Sequence, residues 1–387
     1  MAGPLEGVRV VELGVWVAGP AAGGILADWG ADVVKVDPPG GDPARMFGRM
    51  LGISPQDRHH VSPPFEMDNR GKRSVVLDLT TDEGQGRIRE LLSDADVFLT
   101  NIRAGALRRI GLDFEAVAST NPRLVYGLIT GYGSTGPDAD RAAYDVAAFW
   151  ARAGVAPPFQ RGGMGDHTAG MTLAAAVCAA LVARARTGVG QLVTTSLYRQ
   201  GAYTVSFDLN TFLITGHSIA IGQRESMGNP CMNNYTAGDG RRFWLVGLQG
   251  DRHWPALCAA VQRLGWLSDD RFATARARAA NAVELIGELD AIFAGKSLDE
   301  WSEAFAAQPD LFWSPINSME DVVGDEQFHA AGGIVYVPDE DGSSVPMVAS
   351  PADFSGTPWE ARSCAPELGE HTEEILAELA QRTNLST

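Results

Sequence analysis

Over its first 130 residues the chain alternates strand-like and helix-like patterns, and no other feature constrains its fold as tightly. "VRVVEL" is a short apolar run of strand type, followed by the small-residue helical stretch "GPAAGGILADWG", which ends at a glycine. "ADVVKVD" reads as a second strand. Then come "SVVLDL", the amphipathic helix "TDEGQGRIRELLSDA" with Thr80 or Thr81 as its cap, "DVFLTN", the helical "GALRRIG" and "DFEAVAS", and "RLVYGLITGYG". Short apolar runs joined by helical crossovers give an α/β fold with a doubly wound parallel sheet. Such sheets bind ligands at the carboxyl ends of their strands. Function is therefore expected in the loops after Leu13, Asp37, Leu79, Asn101 and Gly131.

Two helices follow, around Asp145 to Arg152 and Thr168 to Arg186. Next are a strand, "GQLVTTSL", and a helix from about Tyr198 to Ile214. The character then changes. "NNYTAGDGRRFWLVGL" predicts a β-hairpin turning at Gly238-Asp239-Gly240. Helices are expected at Arg252 to Leu264 and Asn281 to Phe293. Another starts from Ser297, where Ser297 and Glu300 have capping-box spacing. This segment reads as a second, smaller α+β domain. "GGIVYVPDEDGSSVPMVAS" predicts a further hairpin and "GEHTEEILAELA" a terminal helix.

Composition narrows the function classes. With 387 residues, 45% of them hydrophobic, the chain can bury a sizeable core. Its formal charge of −17, from 31 basic and 48 acidic residues, argues against broad binding to nucleic acid or a membrane surface. Four cysteines without CxxC spacing suit a reduced cytoplasm. "MAGPLEGVRVVEL" has no basic segment followed by an apolar one, so no signal peptide is read. The longest apolar run, Leu173 to Ala183, falls short of the roughly 20 residues of a membrane span.

Several chemistries can be weighed on residue patterns. The first strand–loop–helix–strand unit ends in an acidic residue, Asp37, as a dinucleotide-binding unit would. Its glycines fall at Gly14, Gly19, Gly23 and Gly24, however, and the G-x-G-x-x-G spacing is absent. Pro38 also stiffens the place where a ribose would dock. Close helix–sheet packing is the other use for these glycines. Lys72, Arg73, Arg103, Arg108 and Arg109 concentrate positive charge near strand ends. They suit either a polyphosphate ligand or solvated helix faces. His59-His60 and Asp166-His167 lack metal-ligand spacing, so no metal is expected. No G-x-S-x-G elbow supports a serine hydrolase.

Asp166 precedes an Ala-rich helix, where an aspartate is usually an N-cap. Thr168 could do that job instead. Asp166 would then sit in a glycine-rich turn, kept ionised by backbone N–H groups and the helix dipole. An open, ionised carboxylate can attack an acyl group.

Longer motifs resemble one family. "PLEGVRVVELGVWVAGPAAGGILADWGADVVKVDPPGGDPAR", "NRGKRSVVLDL", "ADVFLTNIRAGALRRIGLDFEAVASTNPRLVYGLITGYGSTGP", "GDHTAGM", "RTGVGQ", "DGRRFWLVGLQGDRHWP" and "LGEHTEEIL" are similar to the class III CoA-transferases. These include formyl-CoA transferase, the carnitine and bile-acid CoA-transferases and α-methylacyl-CoA racemase. The resemblance runs from about Leu5 to Leu379. It implies a Rossmann-like large domain over 1–224, a small domain over 225–329 and a C-terminal return to the large domain over 330–387. It also implies an interlocked homodimer, with acyl-CoA and a carboxylic acid as substrates and no permanent cofactor.

By the same resemblance, Asp166 is the nucleophile and the amide of Ala18 a candidate oxyanion donor. The CoA contacts implied are Val17 and Ala18, Leu77, Asp78, Leu79 and Thr80, Asn101, Ile102 and Arg103, Arg109, and Ala143 with Tyr144. Formyl-CoA transferase has glutamine in place of Val17, arginine in place of Pro38, and a glycine-rich active-site loop that "GNPCMNNYTAGDGRR" lacks. Oxalate is therefore disfavoured, and Val17 favours a larger or more hydrophobic acyl group. "LQGDRHWP" is closer to the carnitine and 2-hydroxyacyl branch. The racemases use a "GHD" motif where this chain has Ala143-Tyr144-Asp145, and tyrosine is a poor base at neutral pH. A racemase of 2-methylacyl-CoA and a CoA-binding protein without turnover are the alternative readings.

Overall fold

Val10, Val11 and Leu13 form the centre of the first strand, and the sheet grows outward from it. The computed structural model describes residues 3–50, 52, 62–155, 161–218, 224–226 and 228–386. Six parallel strands run β1 (Arg9–Leu13), β2 (Asp32–Asp37), β3 (Arg73–Val76), β4 (Val97–Thr100), β5 (Val125–Thr130) and β6 (Leu192–Ser196). Their order is β3-β2-β1-β4-β5-β6, the doubly wound order whose direction reverses between β1 and β4. In register, Val11 lies beside Val34 on one side and Phe98 on the other. Both faces of the sheet are covered, so the central strands are mainly apolar, the buried charges of Glu12, Lys35 and Asp37 apart.

One face is covered by two packed helices, Ala18–Asp28 and Met164–Thr187. Small residues let them approach closely. A Cβ placed on Gly23 would lie 1.8 Å from Glu12 Oε2, which leaves room for no side chain there. The glycines of the first helix thus serve packing. Asp37 is occupied as well, accepting hydrogen bonds from Ser74 and Arg45. By length and composition the Met164–Thr187 helix is apolar enough to cross a membrane. In this fold Ala169, Leu173, Ala174 and Val177 turn its inner face into core.

Contacts divide the chain into two compact units, residues 1–209 with 329–387, and residues 210–328. The second has its own core, in which Phe243, Phe293, Trp301 and Phe305 pack edge and face. Its sheet is β7 (Met232–Thr236), β8 (Arg242–Val246) and β9 (Trp313–Pro315). The hairpin turns at Gly240, which has φ +85°. Ser297 and Glu300 form the capping box of the Leu298–Ala306 helix. In the first unit, β10 (Ile334–Pro338) and β11 (Ser344–Val348) make a hairpin, and the Thr372–Ser386 helix closes the chain.

Two local expectations need correction, and one open choice is settled. The helix expected from Tyr198 to Ile214 is two, Leu197–Thr204 and Ser206–Thr215, separated at Val205. Thr81, not Thr80, caps the Asp82–Ser93 helix. The long helix begins at Met164 rather than Thr168, capped by Gly163 at φ +79°. Thr168 does not cap it; its hydroxyl donates back to the Met164 carbonyl inside the first turn.

Candidate functional site

A cavity of about 1500 Å³ opens within the first unit, above the N-terminus of the Met164–Thr187 helix. Its lining combines Trp16 and Val17 after β1, Phe47 and Met50, the Pro63–Asn69 helix, Tyr144–Val146, Gly162–Gly163, Asp166–His167 and the β11 strand. Asp166 lies in the first turn of its helix and is half-buried. Burial first, then the neighbouring Asp145 and Asp68, push its carboxyl up to about 7, while His167 opposes the shift. The expectation of a firmly ionised carboxylate is therefore corrected. Desolvation and like charges outweigh the helix dipole.

The groups around Asp166 are fixed by short hydrogen bonds. Asp145 Oδ2 accepts the Gly163 N–H at 2.9 Å and so anchors the residue that caps the helix. His167 Nε2 lies 3.1 Å from Asp68 Oδ1. Asp68, at 3% exposure, ends the Pro63–Asn69 helix region. Its second oxygen has no hydrogen-bond partner among the described residues. The hydrogen bond to Asp68 holds the His167 imidazole above its usual range.

Beneath the cavity runs a buried ionic ladder. Lys35 Nζ donates to Asp42 Oδ2 (2.9 Å), the Gly14 carbonyl (2.9 Å) and Glu12 Oε1 (3.2 Å). Lys72 Nζ donates to Glu12 Oε2 (2.7 Å), the Pro20 carbonyl (2.9 Å) and Asn69 Oδ1 (2.9 Å). All three donors of each ammonium are thus used. Burial alone would raise the Glu12 carboxyl, but the two lysines hold it below the usual range. Asp42 Oδ1 also accepts the Trp16 N–H at 3.0 Å. That bond fixes Trp16 at φ +67°, a left-handed conformation a tryptophan rarely adopts. Trp16 meets Phe47 and Tyr144 with centroids 5.4 and 6.0 Å apart.

The structure brings Val17, Tyr144 and Asp166 together on the cavity lining. The other predicted contacts lie outside that lining. Ala18 is the buried first residue of its helix. Leu77 and Leu79 are buried and half-buried just past β3, where Asp78 folds back to accept from the Thr80 N–H and hydroxyl. Asn101 staples two loops, accepting from the Val15 N–H at 3.0 Å and donating to its carbonyl at 2.7 Å. Ile102 and Ala143 are half-buried, and Arg103 and Arg109 are exposed. Lys72 belongs to the ladder, and Arg73 pairs with Asp32, Glu374 and Glu378. His59 and His60 lie outside the described residues, among which no group of metal-ligating side chains occurs.

Asp68, Trp16, Phe47 and the β11 strand were not singled out from the sequence. Trp16 carried a signal, a large aromatic inside the glycine-bounded loop "GVWVAG". Asp68 carried none, being 99 residues from its partner.

The comparison with known proteins now decides among the chemistries this cavity allows. Residues 5–372 match the description CoA-transferase family III. The chain belongs to CoA-transferase family III. A relative from Clostridioides difficile named (R)-2-hydroxy-4-methylpentanoate CoA-transferase is 33% identical over 97% of this chain and 95% of its own length. The succinate–glutarate CoA-transferase of Agrobacterium fabrum is 36% identical over 97% and 96%. A solved CAIB/BAIF family protein from Brucella suis superposes with a TM-score of 0.83 at 32% identity, covering 98% of this chain and all of that one. This family III CoA-transferase is therefore an enzyme acting on CoA thioesters, with the α/β fold of its relatives.

Proposed function

We propose that this enzyme moves CoA between two carboxylic acids by covalent catalysis on Asp166. The observation that carries the reading is the half-buried Asp166 carboxyl on the lining of the large, mainly apolar cavity, its pKa raised to about 7. In the proposed sequence an Asp166 oxygen attacks the donor thioester carbon. The C–S bond breaks, leaving an acyl–aspartyl anhydride and CoA thiolate. The thiolate attacks the aspartyl carbonyl, releasing the donor acid and forming an aspartyl-CoA thioester. The acceptor carboxylate attacks that carbonyl and expels the thiolate, forming a second anhydride. Thiolate attack on the acceptor's acyl carbon then gives the new acyl-CoA and returns Asp166. Anhydride and thioester are close in energy, so each step is reversible. Ala18 opens a helix and is a candidate N–H donor to the oxyanions.

Arg103 and Arg109 are exposed and have no ion-pair partner among the described residues, which suits the CoA phosphates. Trp16, Phe47 and Tyr144 favour an acyl group with an apolar body. The same reading includes an interlocked cytoplasmic homodimer. Exposed apolar side chains such as Tyr203, Leu213 and Ile214 suit a partner surface, and sedimentation velocity tests it. For the mechanism, the enzyme is incubated with acyl-CoA, trapped with hydroxylamine or borohydride, and mapped by mass spectrometry. The expected result is a label on Asp166. An unlabelled Asp166, with turnover surviving Asp166→Ala, refutes it.

A further inference from the structure

We propose that His167, held by Asp68, seats the carboxylate of the acceptor acid beside Asp166. This rests on the reading of Asp166 as the nucleophile. The acceptor enters as an anion once Asp166 is held as its neutral thioester, and the cavity lining still carries Asp145, with Asp68 beside it. Like charges in a partly desolvated cavity repel more strongly than in water. Anion entry therefore needs a compensating charge. Among the described lining residues, His167 is the only side chain able to carry one.

Its geometry suits that role. The Nε2–H donates to Asp68 Oδ1 at 3.1 Å, which fixes the ring. Asp68 is buried with its other oxygen unpartnered among the described residues, so an imidazolium is the charge that compensates it. The second ring nitrogen, Nδ1, has no hydrogen-bond partner among the described residues, and the half-buried His167 side chain lies on the cavity lining. Gly163, which has no side chain, stands beside that edge of the ring: a Cβ there would meet Cε1 at 3.6 Å and Nδ1 at 3.7 Å, in ordinary van der Waals contact. An imidazolium Nδ1–H can thus donate to a carboxylate one residue from the nucleophile, while Trp16, Phe47 and Tyr144 face the acid's apolar body. The ligand class is a monocarboxylate with an apolar substituent. Holding its carboxylate there presents one oxygen to the aspartyl thioester.

The test uses the whole enzyme and two probes, 3-phenylpropanoate and the uncharged 3-phenylpropanol, titrated by calorimetry. Wild type should prefer the carboxylate. His167→Gln should weaken carboxylate binding about ten- to a hundredfold, the range of a lost charge-assisted hydrogen bond, while the alcohol binds both proteins equally. Asp68→Asn should weaken the carboxylate to a smaller extent, and serves if His167→Gln does not fold. Equal affinity of wild type for the two probes, or carboxylate binding unchanged in a folded variant, overturns the proposal. Trapping of the Asp166 adduct from acyl-CoA alone is run alongside and should survive His167→Gln. Loss of that adduct from wild type counts against the nucleophile, whereas the carboxylate preference alone decides on His167.

Discussion

At the scale of the residue, the decisive quantity is the charge of Asp166. Its carboxyl titrates near 7 in the folded enzyme, raised chiefly by burial. Attack on a thioester needs the ionised form, so kcat/KM for acyl-CoA should rise with pH through about 7 and level above it. A pH profile of initial rates checks this. The same shift bears on stability with the opposite sign. A carboxyl whose folded pKa is raised stabilises the fold while protonated, and that contribution is lost as pH climbs from about 4 through 7. Asp166→Asn should therefore abolish turnover yet unfold at higher urea than wild type at pH 8, by on the order of 1–3 kcal/mol. The advantage should vanish near pH 4. The ladder predicts the reverse. Lys35→Met strips Glu12 and Asp42 of a buried partner and should cost about 3–5 kcal/mol by urea unfolding. At this scale the sequence exposed Asp166 through its motif, but not its protonation, which depends first on its burial and then on Asp145 and Asp68. Lys72 was open between ligand and structure because its partners Glu12 and Asn69 meet it only in the folded sheet.

Among the elements, strands and helices with strong periodicity were legible, including the hairpin at Gly240 and the Ser297 capping box. Starting points were not. The long helix begins four residues earlier than its apolar run implied. Gly163 and the Asp145 carboxylate supply a start that no Ser, Thr or Asp side chain of the segment provides. This makes Gly163 testable. Gly163→Ala meets only ordinary van der Waals distances, but φ +79° disfavours any side chain. It should cost about 1–2 kcal/mol. It should also lower kcat more than a stability loss of that size explains, because Asp166 is three residues on. Thermal unfolding and initial rates on one preparation separate the two effects. The short Pro63–Asn69 helix escaped the sequence reading because seven residues give too little periodicity.

At the scale of the whole molecule, the doubly wound parallel sheet was legible in the alternation of strands and helices, while its order β3-β2-β1-β4-β5-β6 is read from the structure. The cavity was not legible, because its walls come from segments over three hundred residues apart. Residues 210–328 have a separate aromatic core. Expressed alone, they should give one cooperative thermal transition with native-like near-ultraviolet dichroism. A non-cooperative melt would show that this core depends on the rest of the chain. The last wall of the cavity, Ser343–Val348, belongs to the final sixty residues of the chain. During synthesis Asp166, the ionic ladder and the aromatic trio all leave the ribosome long before that strand does. A nascent chain stalled at residue 328 thus carries Asp166 and the ladder but lacks the Ser343–Val348 wall of the cavity.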